Sequence, residues 1–492
     1  MVLVATLPVP YGCVLPGGTL KLQVLAFLTA AFVFLDSSGR PDARLAPLPS
    51  PVRFALAAVL GLSCLAGFQL LPLPDAVIHG LSPVASEVYR SAGRTLGILA
   101  GSDGSGITSS PLERLSIYPT ETITVGLLTL SYAAIFFSAF RLLRTRPRRR
   151  VFFGVVLVSS LAYVAMGVLS DLAEERLHGP YVNPDHFAGF LEIGLAVAFG
   201  FSWTVLSYAL PGGWKGGRAA SKGDRLEQRL VASAAAILVW GVLATAIGLT
   251  RSRGGILAAT GSTVFLLTMS AISGLRRTDA VRKRERVVSG AAAVFLGLLF
   301  VAAAAGSRPL LRFLQTDPRD LGSDTRVRLW DLSLQAWRRF PVFGSGLGTY
   351  REAIRALQPR DLVGQVENAH SDPLQLLVTG GVLGGALGAL ALGGLLYFLV
   401  RNWHHQPHRE ERAFALAGLG ALVSLALHGL VEFNFSLPAT PAALAAVLGA
   451  SVAASIASPE RDELAAVLPS VRSTRVTTTR PTSAPVANVD RP

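Results

Sequence analysis

Arginine and histidine side chains in one polar stretch carry the strongest chemical signal in this sequence. Residues 307–372 contain ten Arg, no Lys and two Trp, and they interrupt a chain of otherwise apolar runs. The planar guanidinium group donates paired hydrogen bonds that fit phosphate oxygens better than an ammonium group does. A histidine can act as a general base near neutral pH. The stretch therefore predicts chemistry on a phosphorylated substrate, with Arg326 and His370 as the leading candidates.

Residues 323–340 predict a helix that ends at a following proline, and its periodicity separates two arginines. Arg326 shares the face of Trp330, so we expect it to pack inward. Arg328 and Arg339 are expected to face solvent. An inward-facing arginine is costly unless an anion pairs with it. That anion is either a nearby Asp in a structural salt bridge or the phosphate of a substrate.

A second pair of arginines, Arg251 and Arg253, lies beside Gly254 and Gly255 between two apolar runs. One interpretation is interfacial anchoring, in which long cationic side chains reach the aqueous layer. The other is ligand binding, because two guanidinium groups in a tight turn suit the paired oxygens of a pyrophosphate.

His370 precedes Asp372 and Pro373, which predict the N-cap and first position of a helix. The positive end of that helix disfavours an imidazolium, so we expect His370 to be neutral, as a general base must be. The alternative is a loop histidine that binds backbone groups. No second ligand stands nearby at metal spacing, so the sequence predicts neither a zinc site nor a cofactor.

Further polar residues stand at the starts and ends of apolar runs and are predicted to support the site. Asn183 and His186 could bind a polar ligand, or they could simply form the turn around the intervening proline. Glu192 is predicted to be a buried carboxylate inside a span, and such residues are usually functional or paired. The remaining supporting candidates are Asn368, Asp372, His428, Glu432 and Asn434.

The elements that must position these residues are membrane-spanning helices. The chain has 492 residues, 51% of them hydrophobic and 15% charged, and its mean hydropathy is +0.48. Its net charge of +14 is concentrated in short loops between apolar runs, which argues against nucleic acid as a partner and for a membrane protein. The two cysteines, Cys13 and Cys64, indicate neither a disulfide framework nor a metal site.

About eleven apolar runs are long enough to span a bilayer, so ten to twelve spans are expected. They lie near residues 20–35, 52–73, 121–143, 151–170, 186–210, 230–250, 253–275, 287–306, 374–400, 413–433 and 438–457. The first is interpreted as a retained helix, because no charged segment precedes it and no cleavage site follows it.

Charge bias predicts which loops share a side of the membrane. Residues 141–150 contain six Arg, residues 215–229 five basic residues and residues 276–286 six, so these loops and 401–412 are expected in the cytoplasm. The other loops then lie outside, together with every candidate site residue. The chain divides into five parts: 1–120 with the N-terminal spans, 121–306 with the central spans, the external loop 307–372, the C-terminal spans 373–457 and a disordered cytoplasmic tail, 458–492.

The order of these motifs resembles that of the O-antigen ligase and polymerase-like membrane proteins. The resemblance covers roughly residues 115–450. It rests on Asn183-Pro-Asp-His-Phe-Ala-Gly, Ser252-Arg-Gly, Arg326-Val-Arg-Leu-Trp, Pro341-Val-Phe-Gly-Ser-Gly, Ala369-His-Ser-Asp-Pro-Leu-Gln, Gly380-Gly-Val-Leu-Gly and His428-Gly-Leu-Val-Glu-Phe-Asn. The pair Ser371 and Asp372 departs modestly from the residues that family members often carry after the histidine.

The resemblance implies an all-α polytopic fold of the GT-C-like class and a metal-independent, inverting glycosyltransferase without a cofactor. It implies a bacterial inner-membrane location with the active site facing the periplasm. The implied donor is a glycan on undecaprenyl pyrophosphate, held by Arg251, Arg253 and Arg326, while His370 deprotonates the acceptor hydroxyl. Such bound cations would stabilise the charge that grows as the glycosidic bond breaks.

The acceptor stays open at this point: lipid A-core, a growing polysaccharide and a protein each fit the same residues. Another class of function, a transporter of lipid-linked sugars, predicts broken helices and polar residues near the bilayer midplane. A scaffold of a polysaccharide assembly complex would give Arg326 and His370 no task. Fold similarity alone does not decide among these functions.

Overall fold

The structure is a computed structural model that describes residues 1, 5–9, 11–38, 48–99, 112–170, 176–209, 222–275, 325–362, 364–406 and 408–456. The predicted span 287–306, the predicted tail 458–492 and the candidate helix-capping residues at 323 and 324 lie outside these residues. The described chain is almost entirely helical, as the sequence predicts.

Fourteen α-helices and two short strands define the fold of the described residues. In chain order they are α1 (Pro16–Ser38), α2 (Ser50–Gln69), β1 (Leu73–Pro74), α3 (Asp75–Leu81), α4 (Pro83–Leu99), β2 (Leu112–Glu113), α5 (Pro119–Leu142), α6 (Arg146–Ser170), α7 (Pro184–Ala209), α8 (Lys222–Leu249), α9 (Arg253–Leu275), α10 (Thr325–Arg339), α11 (Tyr350–Arg355), α12 (Asp372–Asn402), α13 (Arg409–His428) and α14 (Ala439–Ser455). Tyr11–Cys13 and Asn434–Ser436 are 3-10 turns.

Eight of the described helices are long and apolar enough to cross a membrane: α1, α2, α5, α6, α7, α8, α12 and α13. Each coincides with a predicted span. The helix α9 matches the predicted span 253–275, and α14 is a 17-residue apolar helix at the predicted span 438–457. The polytopic helical class is confirmed, while the count of eleven stays a prediction.

Helices α7 and α13 form the centre of the bundle, and glycines bring their backbones together. A Cβ atom on Gly200 would stand 2.6 Å from the carbonyl oxygen of Ala413, and one on Gly420 would stand 3.1 Å from Ala196. Small residues let helices pack closely where lipid supplies no hydrophobic driving force. The two helices that carry buried polar residues, Glu192 and His428, are thereby held against each other.

The folded layer outside the bundle is larger than the sequence predicts. We expected residues 307–372 alone to build it, but residues 73–118 contribute α3, α4 and the two-stranded pair of β1 with β2. The two segments share one apolar core, which includes Ile78, Leu115, Leu329, Ala336 and Tyr350. The expectation failed because residues 73–118 are not apolar enough to span a membrane and so predict only a loop, although Pro83–Leu99 has the periodicity of an amphipathic helix.

Helix α12 is broken at Gly381, where φ is +64° and ψ is −166°. The turn that follows α10 fills the break: the amides of Val382 and Leu383 donate to the carbonyls of Pro341 and Val342, at 2.9 and 3.2 Å. Glycine is needed here, since a Cβ on Gly381 would stand 2.2 Å from the carbonyl oxygen of Val342. Residues 344–348 belong to this turn, and Gly344, Gly346 and Gly348 all have positive φ.

Gln69, the last residue of α2, binds both the docked turn and the part of α12 before the break. Its Nε2 donates to the carbonyls of Phe343 and Thr379, at 2.6 and 3.0 Å, and its Oε1 accepts from the amide of Leu347 at 2.9 Å. Gln69 is fully buried, so these bonds satisfy all of its polar atoms in a site without water. They fix the end of α10 relative to the start of α12.

Candidate functional site

The buried carboxylate of Glu432 is the centre of a charged site. Together with the described residues that contact it, it forms the main charged site at the end of the bundle that is predicted to be external. Glu432 lies in the turn after α13 and only 1% of its side chain is exposed. It forms an ion pair with Arg326, and its Oε2 lies 3.1 Å from Nδ1 of His370. Burial raises the pKa of Glu432, but the hydrogen bond from His370 and the charges of Arg326 and His370 outweigh it and lower the pKa below 4.5. Glu432 is therefore an anion that joins the two leading candidates.

A second carboxylate extends this site to two more segments. Asp185, in the first turn of α7, lies 3.9 Å from the guanidinium group of Arg326 and 2.7 Å from that of Arg176. Arg176 also donates through Nε to the carbonyl of Thr250 at 2.9 Å. We call Arg176, Asp185, Arg326, His370 and Glu432 the Glu432 cluster. It joins residues that the sequence predicts on one side of the membrane.

The expected division of α10 into an inward Arg326 and a solvent-facing Arg328 is wrong. The exposed fractions of their side chains are 34% and 39%. The buried stripe of α10 runs between them and includes Leu329 and Leu332, although Leu332 was expected on the solvent face. Successive residues of an α-helix are rotated by about 100°, which places Arg326 at one edge of the buried stripe and Arg328 at the other.

The two arginines differ in their partners instead. Arg326 binds Glu432, which is buried, whereas Arg328 lies 2.6 Å from Asp361, a side chain that is 66% exposed. Exposed ion pairs contribute little because water and salt screen them. The interpretation of Arg328 as a surface residue therefore holds through its partner rather than through its face.

His370 has a left-handed backbone, with φ of +47°, a conformation that non-glycine residues seldom adopt. Its carbonyl accepts from Nε1 of Trp330 at 3.2 Å, and its ring meets Phe433 edge-on at 4.9 Å between centroids. A carboxylate only accepts hydrogen bonds, so the contact with Glu432 assigns the Nδ1 proton to His370. In the neutral ring Nε2 is then the acceptor, which is the form a general base requires.

The predicted cap of α12 is off by one residue. Ser371 is the N-cap, and Asp372 is already the first helical residue. The carboxylate of Asp372 accepts from the amide of Phe435, at 3.2 and 3.3 Å, so it ties α12 to the turn after α13 instead of capping its own helix. The neutrality of His370 stays a prediction.

Asn183 caps α7, which is the structural alternative left open by the sequence. Its Oδ1 accepts from the amide of Asp185 at 2.9 Å, and its carbonyl accepts from the amides of His186 and Phe187. His186 is 5% exposed and packs edge-on against Phe433, with 4.4 Å between ring centroids. His186 and His370 thus both pack against the ring of Phe433.

The pair Arg251 and Arg253 lies in the turn that Arg176 ties to the Glu432 cluster. Arg251 has a left-handed backbone, with φ of +53°, and Arg253 is the exposed first residue of α9. A Cβ on Gly254 would stand 2.9 Å from both His428 and Val431, so this turn packs directly against the segment that ends in Glu432. The structure brings the turn to the cluster through backbone contacts.

Glu192 is paired, as buried carboxylates inside spans usually are. It is 1% exposed, its Oε1 lies 2.7 Å from Nδ1 of His428, and its Oε2 accepts from Ser424 at 2.9 Å. The pair joins α7 to α13 inside the bundle. Asn368 binds within its own segment, where its Oδ1 accepts from Gln375 at 3.0 Å. Among the described residues, the hydrogen bonds and ion pairs of Asn368 and Glu192 are made with residues outside the Glu432 cluster.

Sequence reasoning missed two members of the cluster and the central role of a third. Arg176 was never singled out, and Asp185 was noted only inside a motif. Glu432 was grouped with late polar residues, not identified as the partner of both Arg326 and His370. Among the described residues, no group of three His, Cys, Asp or Glu has the geometry of a metal site.

Fold and site together define a multi-pass, all-helical membrane protein that gathers arginines, a histidine and buried carboxylates at one end of its bundle. Residues 234–389 match the profile of the family described as O-Antigen ligase. This match, which covers about a third of the 492 residues, supports an O-antigen ligase/polymerase-like family and agrees with the resemblance that the motifs indicate. A comparison with curated proteins found no match.

The family supports a coarse function for the chain. Its members are glycosyltransferase-like ligases and polymerases, so the match supports a function in polysaccharide biosynthesis with lipid-linked glycan substrates. The matched residues include Arg253, Arg326 and His370 but end before Glu432. The contacts of Glu432 are thus an observation independent of the match.

Proposed function

We propose that this protein transfers a glycan from undecaprenyl pyrophosphate to an acceptor hydroxyl, and that the Glu432 cluster is its active site. The supporting observation is that Arg326 in α10 and His370, two residues before α12, bind the two oxygens of one buried carboxylate while about a third of each side chain stays exposed. A purely structural salt bridge has no need of a histidine oriented by the same anion. The protein would work in a bacterial inner membrane with this site facing the periplasm.

His370 is the proposed general base. The Nδ1–H group of His370 donates to Glu432, so Nε2 is the nitrogen that can take up a proton. It takes the proton of the glycan acceptor's hydroxyl group as that hydroxyl oxygen attacks the anomeric carbon. The bond from that carbon to the pyrophosphate oxygen breaks as the new carbon–oxygen bond forms, which inverts the anomeric centre. The anionic Glu432 also stabilises the imidazolium that results.

Arg326, Arg251 and Arg253 are the proposed partners of the pyrophosphate. Arg176 and Arg326 balance the charges of Asp185 and Glu432, so the neighbouring turn of Arg251 and Arg253 leaves the site with an excess of positive charge. A guanidinium group carries five N–H donors, so contact with a carboxylate is compatible with binding a phosphate oxygen as well. Positive charge fixed in advance favours the leaving group most as its charge develops.

A lipid-linked sugar transporter is the competing function, and the break of α12 at Gly381 is the observation in its favour. In transporters such breaks expose backbone groups to a substrate. Here the amides of Ser345 and Gly346 bind the carbonyls of Val378 and Thr379, at 3.0 and 3.1 Å. Protein fills the break, so it offers no substrate site and the transferase is the better-supported proposal. Ligation, repeat-unit polymerisation and protein glycosylation all use the same proposed chemistry.

The experiment is reconstitution of the purified protein in liposomes with a glycan on undecaprenyl pyrophosphate and candidate acceptors. Mass spectrometry identifies the glycosylated acceptor and the released undecaprenyl pyrophosphate. Arg326→Ala is expected to reduce release at least a hundredfold, the scale reported for removing one charge-stabilising donor. Arg328→Ala, two residues away with an exposed partner, is the matched control. Normal release by Arg326→Ala would remove the proposed pyrophosphate site.

His370→Ala tests the base separately from the donor site. Turnover is expected to fall about a hundredfold or more, whereas the affinity for the lipid-linked donor changes little. Single-turnover kinetics and donor binding to purified protein measure the two quantities. A defect confined to donor affinity would contradict the assignment of His370 as the base.

A further inference from the structure

A cavity of about 690 Å³ lies between α2, α5, α12 and α14, and the proposed mechanism does not use it. Its walls include residues along α5 from Glu121 to Phe136, which is about 22 Å at the helical rise of 1.5 Å per residue. That length exceeds one leaflet of hydrocarbon, about half of a 30 Å core. Most of the lining is aliphatic, with Val52, Leu128 and Leu395 among it. The shape and lining fit a hydrocarbon chain.

One end of this cavity is polar and acidic. Glu121 and Glu367 line it, together with the amides of Asn368 and Gln375. Of the described residues that line the cavity, none is Lys or Arg. Arg351 interacts electrostatically with both glutamates, but it pairs with Glu352 at 2.9 Å and does not line the cavity.

The acidic end is unsuitable for a pyrophosphate. Placing two phosphate charges beside two carboxylates is unfavourable at short range, and more so beside an apolar wall of low dielectric constant. The Glu432 cluster together with the neighbouring turn of Arg251 and Arg253 has the opposite charge pattern, with four arginines to two carboxylates. The two regions therefore select different headgroups.

We propose that this cavity binds the hydrocarbon chain of the acceptor, a lipid whose headgroup is uncharged and rich in hydroxyl groups. The proposal rests on the transferase function proposed above and names the class of its acceptor. Asn368 and Asp372 line the cavity on either side of His370 in sequence, and Gly429 and Phe435 line it on either side of Glu432. A headgroup at the polar end thus lies next to the segments that carry the base, while the donor pyrophosphate occupies the arginines.

Photo-crosslinking tests the ligand class without any transfer reaction. The wild-type protein in nanodiscs is exposed to a single-chain alkyl glucoside that carries a diazirine in its chain, or to the alkyl phosphate of equal length. Peptide mass spectrometry is expected to locate glucoside labels on α5 and α12 at least tenfold above the phosphate. Equal or stronger labelling of the cavity by the phosphate would overturn the proposal, as would an absence of glucoside labels there.

Two alanines on α12 give a matched pair of variants. Ala389 is exposed and lines the cavity, whereas Ala386 is exposed on the same helix and does not line it. Ala389→Phe is expected to reduce glucoside labelling at least fivefold, and Ala386→Phe to leave it unchanged. Equal labelling of both variants would overturn the proposal. A double replacement, Glu121→Gln with Glu367→Gln, is expected to raise labelling by the alkyl phosphate, and no rise would contradict the charge argument.

The transfer assay on Arg326→Ala and the labelling experiment together separate this proposal from the proposed function. If Arg326→Ala keeps full transfer but the glucoside labels the cavity, the transferase site is wrong while the lipid site stands. If transfer depends on Arg326 but the cavity takes up only the phosphate, the acceptor assignment is wrong and the transferase site stands.

Discussion

Two carboxylate-centred clusters at opposite ends of the bundle are built from the same residue types, and they differ in how much water their cations meet. At the first end Glu432 binds Arg326 and His370. At the other end Glu411 binds Arg149 and Arg146, at 2.6 and 3.0 Å. Helices α7 and α12 both begin near the Glu432 cluster. Trp203, late in α7, contacts Trp403, directly after α12, so this contact marks the opposite end of the bundle.

The arginines at Glu411 are more enclosed than the partners of Glu432, although Arg146 keeps 24% of its side chain exposed. Arg149 has no exposed side-chain surface, and it also donates to the carbonyl of Leu143 at 3.0 Å. In the Glu432 cluster only the carboxylate is enclosed, while its two partners are 34% and 31% exposed. A fully closed pair can hold helices together but cannot meet a ligand. The cluster proposed as the active site is thus the one in which both partners of the buried anion stay accessible.

Arg149→Ala is the strongest way to test the closed end. Removing one partner of a buried ion pair leaves an uncompensated charge and costs about 3–5 kcal/mol, a large part of the stability of a typical protein. We expect little folded protein, as measured by size-exclusion chromatography of a fluorescent fusion. Arg148→Ala, at an exposed neighbour, should accumulate normally. Normal yield and melting temperature for Arg149→Ala would contradict the structural role.

Glu432→Gln should separate activity from folding at the open end. The neutral amide keeps the shape of the side chain but loses the charge that orients His370 and pairs with Arg326. We expect the transfer rate to fall about a hundredfold, within the range for a displaced general base, while yield is retained. Transfer rate and yield are measured on the same preparations. A rate within threefold of the wild type would show that the carboxylate is not part of the active site.

Acidification should weaken the open cluster through Glu432. Because its folded pKa lies below the ordinary 4.5, its ionised form stabilises the protein above that value, and the contribution disappears as pH falls through the lowered pKa. A hydrogen bond to a charged group contributes about 2 kcal/mol. Thermal unfolding between pH 7 and pH 3 should therefore show a steeper loss below pH 4.5 for the wild type than for Glu432→Gln. Parallel curves would exclude this carboxylate as the source.

Arg328→Ala should have the smallest effect. Its ion pair with Asp361 is exposed, and such pairs contribute about 0–1 kcal/mol. The Arg328 guanidinium holds the pKa of Asp361 below its usual range, but water screens this interaction. Transfer rates within twofold of the wild type are expected in the liposome assay. A loss as large as that of Arg326→Ala would show that proximity to the site, not the buried partner, governs these arginines.

The spans were predictable because their signal is local. Apolar runs of about twenty residues identify helices such as α5 and α13 without knowledge of their neighbours. Arg326 and His370 could be chosen for the same reason, since residue type and position next to a helix are visible in sequence. Their common partner was not visible: Glu432 lies 62 residues after His370, and only packing decides which carboxylate an arginine meets.

The remaining errors have similar causes. The exposure of Arg326 and Arg328 depends on where the apolar stripe of α10 meets its neighbours, and a helical wheel cannot supply that direction. The shift of the α12 cap arises because Asp372 bonds to Phe435, 63 residues away. Arg176 carries no motif at all. Its place in the site follows from contacts with Asp185 and the carbonyl of Thr250.

The turn docked into the break of α12 tolerates changes of side chain far better than changes of length. Four backbone bonds join it to α12: the carbonyls of Pro341 and Val342 accept from the amides of Val382 and Leu383, and the amides of Ser345 and Gly346 donate to the carbonyls of Val378 and Thr379. Replacing a side chain outside the glycines leaves this ladder intact. Inserting or deleting one residue shifts every donor away from its acceptor and separates the helix of Arg326 from the helix of His370. Chain length at 341–347 is therefore under tighter physical constraint than residue identity.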